Sequence, residues 1–273
     1  MVELATAGST TVAFRGTARV APVTTLDLHG LGVRTRVTVS GEGSTALLDA
    51  LRTAWSRCLS PRGGEVAGSD LALSWDGGDG LAPLLQRFTQ DVTTEAIKAQ
   101  RGRLFMFHAG AVSDPASGAT LAYVAPGGTG KTTLSQVLGR THGYVTDETV
   151  GFTPDGRILP YEKPLSVRPG NYVGVKDETS PDDLGLAHVH PAPTLRRFVL
   201  IRRDESLAAP TVEELSVVDA IIELASESSS LSALPDPLQT LAAFLEERPP
   251  VLRVTYAEAA HARDVLVAAL EES

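Results

Sequence analysis

The run Ala125-Pro126-Gly127-Gly128-Thr129-Gly130-Lys131-Thr132 has the residue types of a phosphate cradle. A small residue, four positions of any kind and then Gly-Lys-Thr is the pattern of a phosphate-binding loop. Gly127, Gly128 and Gly130 let the backbone turn tightly and aim its N–H groups inward. A helix starting near Lys131 adds the positive end of its dipole at the same place. Lys131 can reach the β- and γ-phosphates as a point charge, and the Thr132 hydroxyl can ligate a magnesium ion bridging them. Ala125, Pro126, Gly127, Gly128, Thr129, Gly130, Lys131, Thr132 and Thr133 are therefore the expected nucleotide-binding set, with ATP and magnesium as ligands. Ala125 stands where glycine is usual, and a side chain this small fits there.

Two carboxylates follow at a short distance. Asp147 and Glu148 lie 16 and 17 residues after Lys131, at the expected end of the apolar run Tyr144-Val-Thr146. A helix, a return loop and a parallel strand would bring them beside the loop, at the strand edge where ligands of open α/β sheets bind. Asp147 could then accept the proton of an attacking hydroxyl, and Glu148 could help hold the metal. The competing reading is a solvated acidic pair at a strand end. His108, expected at the end of the preceding strand, either faces the same pocket or sits in the core bonded to a carbonyl. Lys163, between Pro160 and Pro164, either meets phosphate or substrate or is a solvated loop lysine, the latter slightly favoured. His188 and His190 have metal-like spacing but no third ligand, and read as loop residues. Arg196, Arg197, Arg202 and Arg203 default to pairing with acids, and His261 and Arg263 to the surface.

These residues need elements to position them. Ala119–Val124 reads as a buried strand and Thr133–Leu138 has helical spacing, so strand, loop and helix follow in the order a phosphate loop requires. That context disfavours a glycine-rich hairpin turn with a chance lysine. From about residue 103 strands alternate with helices, as in an α/β nucleotide-binding core. Strands are expected over Leu104–Phe107, Leu195–Ile201 and Val251–Tyr256, and helices over 238–246 and 257–271. A helix is expected over 213–226, with Leu215, Val218, Ile222 and Ala225 on its apolar face. Residues 173–193 and 227–237 read as loops. Before residue 103, strand patterns at Thr11–Arg15, Val33–Val39 and Leu71–Trp75 and helical patterns over 45–58 and 90–101 make a small α+β module. The expected division is thus 1–102 and 103–273.

Composition narrows the function classes. The 273-residue chain is 42% hydrophobic and can bury a sizeable core. A net charge of −9 argues against a generic nucleic-acid or anionic-membrane binder. Cys58 is the single cysteine, which fits a reducing cytoplasm. Met1–Ala5 has no basic run ahead of an apolar stretch, and no segment reaches membrane-spanning length.

Together, His108-Ala-Gly-Ala-Val112, the loop, Thr146-Asp147-Glu148 and the later Pro160-Tyr-Glu-Lys-Pro164 resemble the bacterial HPr kinase/phosphorylase family, in particular its shorter HPr kinase-related relatives. The resemblance covers roughly residues 103–256. It implies a P-loop core related to phosphoenolpyruvate carboxykinase, and ATP- and magnesium-dependent phosphorylation of a serine hydroxyl on a protein or peptide. It implies that Lys131 holds phosphates, Thr132 the metal, and that Asp147 is the general base with His108 near the phosphates. Glu148 stands where the family proper has a second Asp. Arg168–Gly174 matches the family's glycine- and arginine-rich signature only faintly. Ring-forming relatives imply a homo-oligomer. A non-catalytic ATP-binding regulatory module and a small-metabolite kinase remain the alternatives.

Overall fold

A computed structural model describes residues 23–63, 65–170 and 174–272. The strand expected over Thr11–Arg15 lies outside them. The first described elements form a small sheet: Thr24–Gly30 (β1), Val33–Ser40 (β2), Val66–Ala67 (β3) and Leu71–Ser74 (β4), with β2 pairing all the others. β2 buries Val33, Thr35, Val37 and Val39 and exposes Arg34 and Arg36, the alternation of a one-sided strand. β1 is absent from the sequence expectations, because Leu26 and Leu28 are the only large apolar residues in its seven. The β1–β2 turn, Leu31–Gly32, has φ of 53° and 67°. Positive φ at both positions gives the mirror-image turn that matches strand twist. Leu31 adopts it although the left-handed region disfavours a branched side chain. It is fully buried and lies over Gly151 of the larger sheet.

Two helices cover the small sheet. Ser44–Ala54 (α1) buries Leu47, Leu48 and Leu51. Leu81–Gln100 (α2) buries Phe88, Val92 and Ala96, and starts well before the expected residue 90. Pro83 in its first turn is no obstacle, since the missing N–H would have no partner there.

The larger sheet has seven strands. They are Phe105–Ser113 (β5), Ala119–Val124 (β6), Gly143–Thr146 (β7), Thr149–Phe152 (β8), Thr194–Arg203 (β11), Thr211–Glu214 (β12) and Leu252–Tyr256 (β13), while Leu165–Val167 (β9) and Asp177–Thr179 (β10) form a separate hairpin. The order is β12-β13-β11-β6-β5-β7, with β8 also on β5. β6, β11 and β13 run parallel, and β5 runs antiparallel to β6. Lys131–Leu138 (α3) and Ala259–Glu271 (α6) pack on one face against Leu121, Tyr123, Val199 and Val254. Val217–Ser226 (α4) and Pro237–Glu246 (α5) pack on the other, against Phe105, Phe107, Phe152 and Phe198. This is a mixed α/β architecture. Among the described residues no helix is long and apolar enough to cross a membrane.

Several expectations change. The helix expected from 213 begins at Val217, after strand β12. Its inner face is Val217, Ala220, Ile221 and Leu224, whereas Val218 and Ile222 are 66% and 65% exposed. The helix is rich enough in apolar residues that two stripes compete, and the sheet selects one. The segment 173–193 is not wholly loop, because β10 lies within it. β7 ends at Thr146, at the carboxylates, but the pairing does not stop with it: the chain resumes as β8 along the same neighbour, β5. Nor does β7 sit beside β6. It runs in the same direction, with antiparallel β5 between them.

Candidate active site

Register sets the level of the groups. Ala109 of β5 pairs with Val124, the last residue of β6 before the loop. On the other side its N–H donates to the Glu148 carbonyl at 3.1 Å. Asp147 and Glu148 occupy the break between β7 and β8, level with the start of the loop. Breaks of this kind re-aim side chains out of the regular pleat. Residue 108 is mid-strand in β5, not at its end, and pairs with Thr149.

The loop leaves β6 and enters α3. Gly128 and Gly130 have φ of 84° and 104°, which only glycine adopts freely. Gly130 is also the residue before α3 and offers no capping side chain. The first-turn N–H groups of α3 therefore have no side-chain cap, as an anion site needs. Thr129 Oγ1 donates to the Pro126 carbonyl at 2.9 Å and braces the loop. Lys131 is buried and folds back on the loop, donating to the Ala125 carbonyl and to that of Pro126 at 3.0 Å. Burial lowers its pKa to about 8. Thr133 is exposed on the first turn of α3.

Thr132 Oγ1 donates to Asp147 Oδ2 at 2.8 Å, so the loop and the acidic pair meet. Asp147 is nearly enclosed. Its Oδ1 receives Lys163 Nζ at 2.8 Å and faces the Tyr144 hydroxyl at 3.2 Å. Lys163 also reaches Glu148 Oε2 at 3.1 Å and the Pro164 carbonyl at 3.0 Å. Its side chain is 1% exposed. Lys163 is thus not a solvated loop lysine but a buried cation bridging both carboxylates. Burial alone would lower its pKa, yet Asp147, Glu148 and Glu178 outweigh it and hold it well above the ordinary value. Glu178, on β10, accepts from Ser166 Oγ at 2.6 Å, and burial raises its pKa.

The residues before Lys163 explain its placement. The Tyr161 N–H donates to the Val145 carbonyl at 3.1 Å, laying this segment along β7. The Tyr161 ring enters the core of the small sheet, and its hydroxyl meets Thr93 at 2.9 Å. Glu162, equally buried, holds Arg57 at 3.1 Å and also Arg62. Three consecutive side chains thus anchor in three different places. In sequence this segment offers two flanking prolines and a share in the family resemblance, neither of which fixes where Lys163 goes. The pointer to burial was that Tyr161 had to find a core.

His108 faces the loop. A Cβ placed on Gly127 would lie 3.9 Å from its Cε1. Its Nδ1 is 3.4 Å from Glu227 Oε2, and its N–H donates to the Glu227 carbonyl at 2.7 Å. Burial and the nearby Lys131 lower its pKa, opposed by Glu227 and Glu148. Glu227 thus belongs to the site although the sequence reading placed it in a linker, since nothing in its local pattern links it to β5.

The other flagged residues do other work. His190 Nδ1 faces the Ala192 N–H at 3.1 Å, and Arg197 pairs with Glu272 at 2.7 Å. Arg202 pairs with Glu223 at 3.1 Å, and Arg203 with Glu258 at 3.3 Å. Among the described residues no group of three or more His, Cys, Asp and Glu could hold a metal ion unaided. Thr132, Asp147 and Glu148 offer hard oxygen donors of the kind magnesium takes, and magnesium binds few protein ligands and completes its shell with water and phosphate. The donor set therefore fits.

No family model matches this chain, and no curated protein does. Among solved structures, the HPr(Ser) kinase/phosphatase from Coxiella burnetii is a distant likeness. It covers 60% of this chain and 92% of its own at 15% identity, with a TM-score of 0.27.

Proposed function

We propose that the protein is a kinase of the HPr kinase type, binding ATP at Ala125–Thr133 and transferring the γ-phosphoryl group to a serine hydroxyl of a protein or peptide. The observation that carries this is the Thr132–Asp147 hydrogen bond of 2.8 Å. It joins a phosphate-loop hydroxyl to a carboxylate, the two groups phosphoryl transfer needs side by side. On binding, Lys131 leaves the carbonyls of its own loop for the phosphate oxygens. The loop N–H groups then stabilise the charge on the transferred group. Magnesium, held by Thr132 and the acidic pair, would neutralise part of that charge.

In the simplest assignment Asp147 accepts the serine proton and Glu148 holds the metal. Exposure favours the reverse division. Asp147 is 3% exposed with both oxygens engaged, one of them by Thr132, whereas Glu148 is 34% exposed. An incoming hydroxyl meets Glu148 more easily.

The test is mass spectrometry of candidate serine-bearing peptides after incubation with ATP and magnesium, alongside nucleotide binding. Lys131→Ala should abolish transfer. If Glu148 is the base, Glu148→Gln keeps magnesium-dependent ATP binding and loses transfer, while Asp147→Asn weakens the binding itself. Transfer by the Lys131 variant at the wild-type rate would falsify the kinase assignment.

A further inference from the structure

The phosphate loop has two unlike flanks. On the β5 side stand His108, Asp147, Glu148 and the enclosed Lys163. On the β11 side, at the C-terminal ends of the parallel strands β6 and β11, a cleft of about 490 Å³ opens between the loop and the end of α4. Val124 and Leu200 line its floor, Pro126 and Thr129 the loop wall, and Arg202 and Glu223 the far side. Two other clefts, of about 290 and 530 Å³, lie at the opposite edge around Ser117 and Arg196 and include no loop residue.

We propose that the cleft between the loop and α4 takes the nucleoside of the bound triphosphate, with base and ribose between Pro126 and Arg202. This rests on the phosphate-loop reading above and adds the direction in which the nucleotide lies. A triphosphate whose γ end meets the carboxylates must leave the loop on another side. The β5 side is taken up by the acidic pair with its lysine and by the His108–Glu227 pair, and the β11 side holds the cleft. Ligands of α/β sheets lie beyond the C-terminal ends of parallel strands, which is where this cleft sits. Its volume falls within the range of small-molecule sites, and its apolar floor is ringed by polar side chains, Thr129, Arg202, Glu223 and Ser226 among them. The Arg202 guanidinium is held by both oxygens of Glu223, at 3.1 and 3.2 Å, yet its side chain stays 57% exposed. A planar cation fixed from one side can stack on a base with its free face.

The experiment compares ATP with inorganic tripolyphosphate, which has the phosphates but no nucleoside, by calorimetry in magnesium. The wild type should bind ATP more tightly. Arg202→Ala should weaken ATP roughly tenfold, the scale of one stacked guanidinium, and Ser226→Trp, which fills the cleft, should weaken it further. Neither should change tripolyphosphate binding, which also reports that the variants are folded. Equal binding of the two ligands by the wild type overturns the proposal and leaves the phosphate loop standing. So does a loss shared equally by both ligands in the variants, or no loss of ATP binding. Absence of binding of either ligand to the wild type overturns the phosphate-loop reading as well.

Discussion

At the scale of single residues, the site is organised around the Lys163 ammonium group, for which the sequence offers both a phosphate- or substrate-binding role and a solvated loop. Lys163 neutralises the enclosed Asp147 and reaches the more open Glu148. Removing one partner of a buried pair leaves an uncompensated charge, which costs about 3–5 kcal/mol. Lys163→Met should therefore lower the unfolding free energy by that order, seen as a fall in the urea midpoint. Asp147→Asn in the same chain should restore part of it, because the stranded charge is then gone. A Lys163→Met protein as stable as the wild type would mean the lysine is dispensable. The meeting of the loop with the acidic pair was legible because the two lie only 15 residues apart in the chain. Lys163 and Glu227 were not, because their partners are fixed by chain segments far away in sequence. Cys58 offers a pH test. Burial raises its thiol from 9.0 to about 12. The unfolded thiol ionises first, so its contribution to stability is complete below pH 9 and is lost as pH rises toward 12. Thiol reagents at pH 8 should label Cys58 only as fast as the protein opens. Rapid stoichiometric labelling under native conditions would contradict its burial.

At the scale of elements, periodicity found nearly every long helix and strand but misjudged one face. Helix α4 carries Val217, Val218, Ala220, Ile221, Ile222 and Leu224. So many apolar positions fit two helical stripes, and only the phenylalanines of β5, β8 and β11 decide between them. Ile222→Lys, on the exposed stripe, should change stability by no more than about 0.5 kcal/mol. Leu224→Ala, on the inner one, should cost about 2–5 kcal/mol. Equal effects in chemical denaturation would mean the helix is rotated. The β7–β8 break shows a different limit. Thr146 reads as strand, and the two carboxylates after it read as its end. The continuation on β5 depends on a pairing partner some forty residues earlier in the chain, which local pattern does not reveal.

At the scale of the whole molecule, the two sheets share one wall. Leu104, Met106 and Tyr161, which belong in sequence to the larger half, lie in the core of the smaller sheet. The change of texture near residue 103 was visible in the sequence, but this sharing was not, since it depends on where Tyr161 travels. At the same seam the β1–β2 turn presses Leu31 onto Gly151 and receives a hydrogen bond from Gln100 at 2.8 Å, while the Leu31 N–H donates to the Pro160 carbonyl at 3.0 Å. Viewed in time, this seam orders the assembly of the protein. The loop and Asp147 meet across 15 residues, whereas the anchors of the Lys163 segment span 68 residues to Thr93 and 105 to Arg57. Distant pairings form later, because loop closure must precede their reward. On dilution from denaturant, nucleotide binding should recover before transfer activity, with a lag set by docking of the hairpin tip. Leu31→Ala should lengthen that lag without slowing the first phase, and simultaneous recovery of both signals would refute the order. The last event in the birth of each molecule would then be the arrival of its internal counter-ion.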